Sequence, residues 1–302
     1  MNRRYTAEGA LIVAAFFFGV TFPVVHDALK DVTPFAYLLA RFTIAVVVLA
    51  PFGFAMVRAD RDQRRLLLRI GLVAGVLLFG GYAMQTVGLQ YTSPSSSAFI
   101  TGLYVAMTPI VESIVRRRTP PWEVSVAIVV ATGGLFMLTG ADLSFGKGEL
   151  FTLACAAMFA IWIVFQGAYA NRVQAVPFVS MQMVVVALLC VPAAGVQGTG
   201  NFTGIAIFAA AFTGIACSSV ALSLQLYGQK RIAPSRAALI LLSEPVFAGI
   251  AGYVDGERLS ALQLGGAAVI LIGISIAELA PGRARAEAED AQVEADLEAR
   301  LR

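Results

Sequence analysis

The stretch from Phe202 to Leu226 reads FTGIAIFAAAFTGIACSSVALSLQL and contains no charged side chain. At a rise of about 1.5 Å per residue, an α-helix of this length crosses a hydrocarbon layer about 30 Å thick. Similar apolar runs recur along nearly the whole chain, which is 58% hydrophobic and only 14% charged. Soluble domains carry about 25% charged residues. The sequence therefore predicts an integral membrane protein.

Ten apolar runs can be delimited, each bounded by charges or by Pro, Gly, Asn or Ser. They cover residues 8–25, 34–56, 66–89, 94–116, 121–140, 148–170, 177–196, 202–226, 234–253 and 260–280. We expect one transmembrane helix from each run, which makes the fold an all-α integral membrane protein. The longest remaining stretch, residues 281–302, is rich in Ala, Glu and Arg and is predicted to be a cytoplasmic charged tail.

The positive charges alternate between the two ends of these runs. Lys and Arg accumulate in short cytoplasmic loops of membrane proteins. One set of loops holds sixteen of them, namely Arg3, Arg4, Arg58, Arg61, Arg64, Arg65, Arg69, Arg116, Arg117, Arg118, Arg172, Lys230, Arg231, Arg236, Arg283 and Arg285. The other set holds Lys30, Lys147 and Arg258. This asymmetry predicts a multi-pass plasma (inner) membrane protein with both termini in the cytoplasm and an even number of crossings.

The second half of the chain repeats the first. The matched positions include Glu8 with Glu149, Phe18 with Phe159, Arg41 with Gln182 and Pro51 with Pro192 at an offset of 141, Gly133 with Gly273 at 140, and Gly81 with Gly214 at 133. We expect a first five-helix repeat over 7–140 and a second over 148–280. Because five is an odd number, the second unit enters the membrane from the opposite side, which gives an inverted repeat.

Three segments carry a family likeness: GLQYTSPSSSAFITGLYVAMTP at 88–109, APSRAALILLSEPVFAGIAG at 233–252 and GERLSALQLGGAAVILIG at 256–273. They resemble the EamA family of the drug/metabolite transporter (DMT) superfamily, and the likeness extends over about residues 7–280. The resemblance implies ten helices in two EamA units around a central cavity and the movement of small metabolites, often outward. The chain departs from the family pattern in the longer stretch from Thr92 to Pro109 and in the loop RRRTPP at 116–121.

Glu244 is the most informative ionisable residue inside a predicted span. It lies about 15 Å into the ninth run by helix rise, close to the bilayer midplane. A charge there is costly and normally faces a cavity or a partner. Glu244 could bind a cationic group or accept a coupling proton, or it could be a structural carboxylate tied to a neighbouring helix. Pro245 follows it, and Pro109 and Pro245 are predicted to kink comparable helices of the two units.

Six further residues are candidates for the substrate pathway: Phe18, Arg41, Gln85, Thr101, Tyr104 and Trp162. Arg41 could offer its guanidinium to a carboxylate or could snorkel as a packing cation. Phe18 and Trp162 could stack on a ring or a cation, or simply pack against neighbouring helices. Glu112 lies four residues before Arg116 and is predicted to pair with it along the helix. The first unit has Tyr104 and Thr101 at the depth where the second has Glu244.

The sequence lacks the groups that other functions need. His26 is the only histidine, there is no H-E-x-x-H motif, and no Asp lies well inside any span. We therefore expect no metal, no cofactor and no enzymatic activity. The net charge of +3 is explained by loop arginines, so no nucleic-acid partner is expected. A membrane-embedded enzyme and a receptor or sensor remain the alternatives.

No P-loop for ATP is visible, so the energy for transport is expected to come from a gradient or from exchange. The sequence predicts a secondary-active transporter that works by alternating access and exports an amino acid or a similar amphipathic compound. The expected partners are the lipid bilayer, a small-molecule substrate and a coupling proton. Small-residue pairs such as Gly71-x-x-x-Gly75 leave a homodimer open but are also explained by close helix packing.

Overall fold

The chain folds into a helical bundle in a computed structural model that describes residues 3–53, 61–92, 94–117, 122–139, 146–254 and 260–279. Within these ranges the only β pairing is a single bridge between Val32 and Gly200. The predicted tail 281–302 and the loop residue Arg258 lie outside the described residues. The first-half helices are α1 (Arg3–Gly19), α2 (Thr21–Ala28), α3 (Pro34–Gly53), α4 (Arg61–Gly88), α5 (Pro94–Gly102), α6 (Tyr104–Arg116) and α7 (Trp122–Thr139).

The second half contains a similar series with one π-helical segment. Its elements are α8 (Lys147–Tyr169) followed by a short 3₁₀ turn (Ala170–Arg172), α9 (Ala175–Gln197), α10 (Gly204–Phe212), the π segment (Thr213–Ala221), α11 (Leu222–Gln229), α12 (Pro234–Leu241), α13 (Glu244–Val254) and α14 (Ala261–Leu279). The elements α10, the π segment and α11 follow one another without a gap in the chain.

Seven helical stretches in the described part of the chain are long and apolar enough to cross a membrane. They are Tyr5–Ala28, Pro34–Phe52, Arg61–Gly88, Ser97–Arg116, Lys147–Arg172, Ala175–Gln197 and Gly204–Gln229. Two shorter apolar helices cover Trp122–Leu138 and Ala261–Ile276. The predicted ninth run is divided between α12 and α13. The prediction of an all-helical, multi-pass membrane protein is confirmed, while the count of ten crossings stays a prediction.

Three of the predicted spans are interrupted near the middle of the bundle. The first breaks at Val20, between α1 and α2, and the fourth at Leu103, between α5 and α6. The ninth breaks at residues 242–243, so Pro245 is the second residue of α13. The kink predicted at Pro245 therefore coincides with a break. Pro109 instead lies inside the continuous helix α6, and the break of that span is at Leu103.

The main helix contacts join the two halves of the chain. Helix α3 packs on α9, α7 on α14 and α4 on α8, while α1 packs on α11 and the π segment. Glycines mark where the backbones approach most closely. A Cβ added to Gly134 would lie 2.8 Å from the carbonyl oxygen of Gly266, and one added to Gly266 would lie 2.6 Å from the carbonyl oxygen of Gly134. A side chain at either position would force α7 and α14 apart.

One glycine contact occurs twice, at positions related by the repeat. A Cβ on Gly88 would lie 3.1 Å from the carbonyl oxygen of Gly148, at the start of α8. A Cβ on Gly228 would lie 3.2 Å from the carbonyl oxygen of Ala7, in α1. Gly88 and Gly228 are related by an offset of 140, and Ala7 and Gly148 by an offset of 141. The third predicted span of each half therefore packs in the same way on the first span of the other half.

A second duplicated contact corrects the predicted match of Gly81 with Gly214. Gly75 faces Val185, and Gly214 faces Ile44, which matches Val185 at an offset of 141. The packing therefore relates Gly214 to Gly75, at an offset of 139. The offset becomes 140 at Gly228, a change of one position across the π segment. A π-helix accommodates one extra residue within a helical ladder, which accounts for the change from 139 to 140, while the change from 141 at Val185 to 139 at Gly214 indicates connections of different length between the second and third spans of each half.

Candidate substrate cavity

A cavity lies between the interrupted helices. Its wall includes all seven residues predicted for the substrate pathway: Phe18, Arg41, Gln85, Thr101, Tyr104, Trp162 and Glu244. These residues come from helices of both halves of the chain, so the cavity exists only in the folded bundle.

Glu244 is the first residue of α13, directly after the break in the ninth span. Its side chain is partly exposed and contributes to the cavity wall. Its carboxylate forms no hydrogen bond or ion pair with another described residue. The position at a helix N-terminus favours negative charge. The backbone of Glu244 is in close contact with α1, because a Cβ on Gly19 would lie only 2.5 Å from the Glu244 carbonyl oxygen.

Arg41 lies in the middle of α3 and is 4% exposed. Its Nε donates a hydrogen bond to the Ser218 hydroxyl at 2.8 Å. Its guanidinium carbon lies 4.5 Å from the centre of the Tyr82 ring and 5.3 Å from that of Phe42. Because the group is buried in the cavity wall, it does not snorkel to the membrane surface. Neutral groups hold it, and no described carboxylate forms an ion pair with it.

Polar groups of α4, α5 and α6 form the wall of the first half. Gln85 Nε2 donates to the Thr101 hydroxyl at 3.4 Å. Tyr104 is the first residue of α6, just as Glu244 is the first residue of α13. The two residues are related by the offset of 140, so they occupy equivalent places after equivalent breaks.

Aromatic rings form a row along the cavity. The Tyr82 and Phe159 ring centres are 5.3 Å apart, and those of Phe159 and Trp162 are 6.4 Å apart. The Trp162 Nε1 donates to Gln182 Oε1 at 2.8 Å. Gln182 repeats the position of Arg41, yet it is buried in a hydrogen-bond network and is not part of the cavity wall.

The cavity wall is built largely from equivalent positions of the two halves. The pairs are Phe18 with Phe159, Thr21 with Trp162 and Phe22 with Ile163 at an offset of 141, and Tyr82 with Leu222, Gln85 with Gln225, Thr101 with Leu241 and Tyr104 with Glu244 at 140. The positions are shared, but the chemistry is not. Among the described wall residues, the first half supplies Arg41 and the hydroxyls, and the second half supplies the only carboxylate.

Sequence reasoning did not select four polar wall residues: Thr21, Tyr82, Thr86 and Gln225. Tyr82 and Thr86 sit in an apolar run with no local signal. Gln225 occupies the position equivalent to Gln85, so the repeat offers a signal for it. The predicted pairing of Glu112 with Arg116 is confirmed, with Arg116 Nε 3.2 Å from Glu112 Oε1. Neither residue of this pair lies on the cavity wall.

Comparison with known proteins agrees with the helical membrane fold. The sequence profile of the EamA-like transporter family matches residues 6–140 and 146–278, nearly the whole described chain. The chain belongs to the EamA-like transporter family. As an EamA protein it belongs to the DMT superfamily. It is a multi-pass membrane protein of a transporter family, with the bilayer and a small-molecule substrate as partners.

Relatives of this EamA protein are similar along nearly their whole length. A protein of Archaeoglobus fulgidus named as an uncharacterized transporter is 30% identical over 279 residues, which cover 92% of this chain and 87% of that protein. The uncharacterized transporter YyaM of Bacillus subtilis is 24% identical over 276 residues, 87% of this chain and 90% of its own. A solved crystal structure has the same fold, with a TM-score of 0.77 at 20% identity, covering 93% of this chain and 99% of that one.

Proposed function

We propose that this EamA protein is a secondary-active carrier that exports an amino acid or a similar amphipathic compound across the plasma membrane by alternating access. It uses ten membrane-spanning helices in two inverted repeats, residues 7–140 and 148–280, and both of its termini lie in the cytoplasm. The observation that carries the proposal is the cavity wall made from equivalent positions of the two halves. Such a central site between inverted repeats is the usual substrate site of this kind of carrier.

Two independent features support the inverted repeat. The family profile matches the chain twice, at 6–140 and 146–278. The contacts of Gly88 and Gly228 are equivalent under the repeat, because each glycine packs on the first span of the other half. The five apolar runs in each unit then require opposite membrane directions, in agreement with the distribution of loop arginines.

The charges on the cavity wall support an amphipathic, zwitterionic substrate. Arg41 supplies a guanidinium that can bind a carboxylate, and Glu244 supplies a carboxylate that no described residue pairs with. The rings of Phe18, Phe159 and Trp162 offer an apolar surface for the rest of the molecule. Desolvated charges in a bilayer are costly without a partner, so a substrate that brings both charges complements this wall.

The two ends of the cavity support an outward-facing state. Three wall residues, Val25, Thr86 and Leu89, lie towards the predicted outer side. Their counterparts on the predicted inner side, Gln166, Leu226 and Gln229, are not part of the wall. Gln166 Nε2 donates to Gln229 Oε1 at 2.6 Å, and Gln229 Nε2 donates to the Ile163 carbonyl at 3.0 Å. We infer that these glutamine bonds close the inner side and must open when access alternates.

The proposal is tested with the purified protein in proteoliposomes. A mixture of amino acids, amines and organic acids is loaded inside or outside, and counterflow of each compound is measured with and without an imposed pH gradient. We expect saturable exchange of at least one zwitterionic compound. If the flux of every compound were equal in empty liposomes and in proteoliposomes, the proposed carrier function would be overturned.

Glu244 is the group we propose for proton coupling. The other titratable residues on the cavity wall, Arg41, Tyr82 and Tyr104, are not acidic, so Glu244 is the group suited to exchange a proton with the cavity. We expect Glu244→Gln to weaken counterflow, because it removes the carboxylate proposed to bind the ammonium of the substrate, and to remove the dependence of the remaining transport on the pH gradient. The measurement is initial flux against external pH, with Glu123→Gln as a control outside the cavity. An unchanged pH profile in Glu244→Gln would contradict the coupling role.

Homodimerisation stays a prediction, which size analysis of the purified protein in detergent would test.

A further inference from the structure

Gln225 is a buried polar residue on the cavity wall whose amide nitrogen has no partner among the described residues. The residue belongs to α11 and is 2% exposed. Its Nε2 makes no hydrogen bond with any of them. An amide that is buried without a hydrogen bond destabilises the fold unless another molecule supplies the acceptor. Because Gln225 is part of the cavity wall, a bound ligand can supply the acceptor.

The repeat explains how the amide lost its partner. In the first half, the equivalent Gln85 donates to the Thr101 hydroxyl at 3.4 Å. The residue equivalent to Thr101 in the second half is Leu241, which also lies on the cavity wall and has no acceptor atom in its side chain. The second half therefore keeps the donor and lacks the acceptor. The same change that removes the internal bond leaves Gln225 available to the cavity.

Glu244 lies three residues after Leu241, across the start of α13, just as Tyr104 lies three residues after Thr101. An unpaired hydrogen-bond donor at Gln225 and an unpaired carboxylate at Glu244 therefore line the same cavity. Such a pair complements a ligand whose cationic group lies close to an acceptor oxygen. The ammonium and the carbonyl or carboxylate oxygens of an α-amino acid are separated by a single carbon, so they match this arrangement, whereas a simple amine offers nothing to Gln225.

We propose that Gln225 binds substrate, donating a hydrogen bond to a carbonyl or carboxylate oxygen adjacent to an ammonium group that Glu244 holds. This inference rests on the proposed carrier function and narrows its substrate to compounds with an α-ammonium carbonyl group. Gln225 then discriminates such compounds from amines that share the same apolar body. Both a neutral amide and a free carboxylate can accept the hydrogen bond from Gln225, and the probes used in the test distinguish these two acceptors.

The test is a binding titration of purified protein with three probes that share one ring: L-phenylalanine, L-phenylalaninamide and phenethylamine. The aromatic wall justifies the common ring. We expect Gln225→Leu to weaken binding of the first two about tenfold or more, the typical loss for one hydrogen bond to a polar or charged acceptor. Phenethylamine should change less than about twofold. A loss for L-phenylalanine alone identifies a carboxylate as the acceptor, and a loss for both identifies the carbonyl group.

Two stability measurements separate this role from a structural one. Gln225→Leu should leave the melting temperature unchanged or raise it, because it removes a buried donor without a partner. The matched variant Gln85→Leu should lower it, because that amide has an internal acceptor. Leu241→Thr restores the acceptor present in the first half, and it should weaken binding of the two carbonyl probes because Gln225 then has an internal partner.

Contrary results are equally specific. Equal weakening of all three probes in Gln225→Leu, or no weakening of any, overturns the proposal. A lower melting temperature for Gln225→Leu than for Gln85→Leu also overturns it. If the wild-type protein binds none of the probes yet exchanges another compound in proteoliposomes, the α-ammonium carbonyl assignment fails and the carrier function stands.

Discussion

Gly19 shows how one residue controls the position of the Glu244 turn. It ends α1 and lies against the carbonyl oxygen of Glu244, in the other half of the chain. A methyl group there would also meet the Phe247 Cβ at 3.0 Å. Both contacts are with atoms of α13 that cannot rotate away, so only glycine allows the first and ninth spans to meet at this depth.

We expect Gly19→Ala to lower the free energy of unfolding by about 1–3 kcal/mol, the usual cost of overpacking, and to reduce transport because Glu244 shifts. The measurement is thermal unfolding in detergent together with counterflow. Gly9→Ala is the matched control in the same helix, since a Cβ at Gly9 meets nothing within 4 Å. Replacing a helical glycine without a clash stabilises by up to about 1 kcal/mol. Similar melting temperatures for the two variants would contradict the role of Gly19.

The residues of the site were only partly predictable from the sequence. Glu244 and Arg41 could be predicted because a charge inside an apolar run is visible in one dimension. The missing partner of Gln225 could not, because it depends on Leu241 in another helix. Gln182 matches Arg41 in the repeat, but its bond to Trp162 withdraws it from the cavity. That difference depends on side-chain contacts between helices.

At the scale of elements, the broken helices are held together at their ends as well as at the cavity. The backbone N–H of Ser235, in the first turn of α12, donates to Glu112 Oε2 of α6 at 3.0 Å, and the Ser235 hydroxyl donates to the same oxygen. Arg116 completes the group at the predicted cytoplasmic side. A carboxylate at a helix N-terminus is favourable both as a hydrogen-bond acceptor and as a charge. Glu112 therefore joins the fourth and ninth predicted spans.

Glu112→Ala should lower the free energy of unfolding by about 1–3 kcal/mol, because it leaves the N-terminus of α12 without its acceptor. Thermal unfolding at two salt concentrations checks this, with Glu123→Ala, in the first turn of α7, as the control. We expect the control to change by less than about 0.5 kcal/mol. Equal changes in the free energy of unfolding of the two variants would contradict the role of Glu112 as the acceptor at the N-terminus of α12.

The positions of the breaks were harder to predict than the helices themselves. Pro245 marks one break because it has no N–H to bond with the Leu241 carbonyl. Pro109 does not mark the other, and α6 continues through it. The break at Leu103 follows Gly102, where a Cβ would lie 2.7 Å from Leu135 Cδ2 and 3.3 Å from Leu242 Cδ1. At this break Gly102 therefore lies in close contact with side chains of the fifth and ninth predicted spans.

At the scale of the whole molecule, the two halves differ in how their equivalent ends are closed. Thr21 and Thr86 line the cavity, whereas Leu226, the counterpart of Thr86, does not. The inner side is further closed by the bonds that join Gln166, Gln182 and Gln229. The two halves have equivalent positions at the two ends of the cavity. If the inner end opened and the outer end closed, the cavity would become accessible from the cytoplasmic side.

This asymmetry predicts different chemical access at equivalent positions. In a background where the buried cysteines Cys155, Cys190 and Cys217 are changed to alanine, we expect Thr21→Cys and Thr86→Cys to react with a membrane-impermeant maleimide added outside the cell. Leu226→Cys should react at least about tenfold more slowly. Transport activity of each variant checks that it is folded. Faster labelling of Leu226→Cys than of Thr86→Cys would show that the opposite side is open.

The membrane class, the helical content and the family follow from the sequence by itself. Hydropathy and charge act locally, and a lipid solvent permits only structures that satisfy the backbone internally. The wall of the cavity, the register of the eighth span and the breaks depend on tertiary structure. A helix that is apolar all round has no polar stripe to show which face turns inward, so its orientation is decided by contacts with residues far along the chain. Gln225 is the clearest case, because its availability to a substrate arises only where α11 meets Leu241.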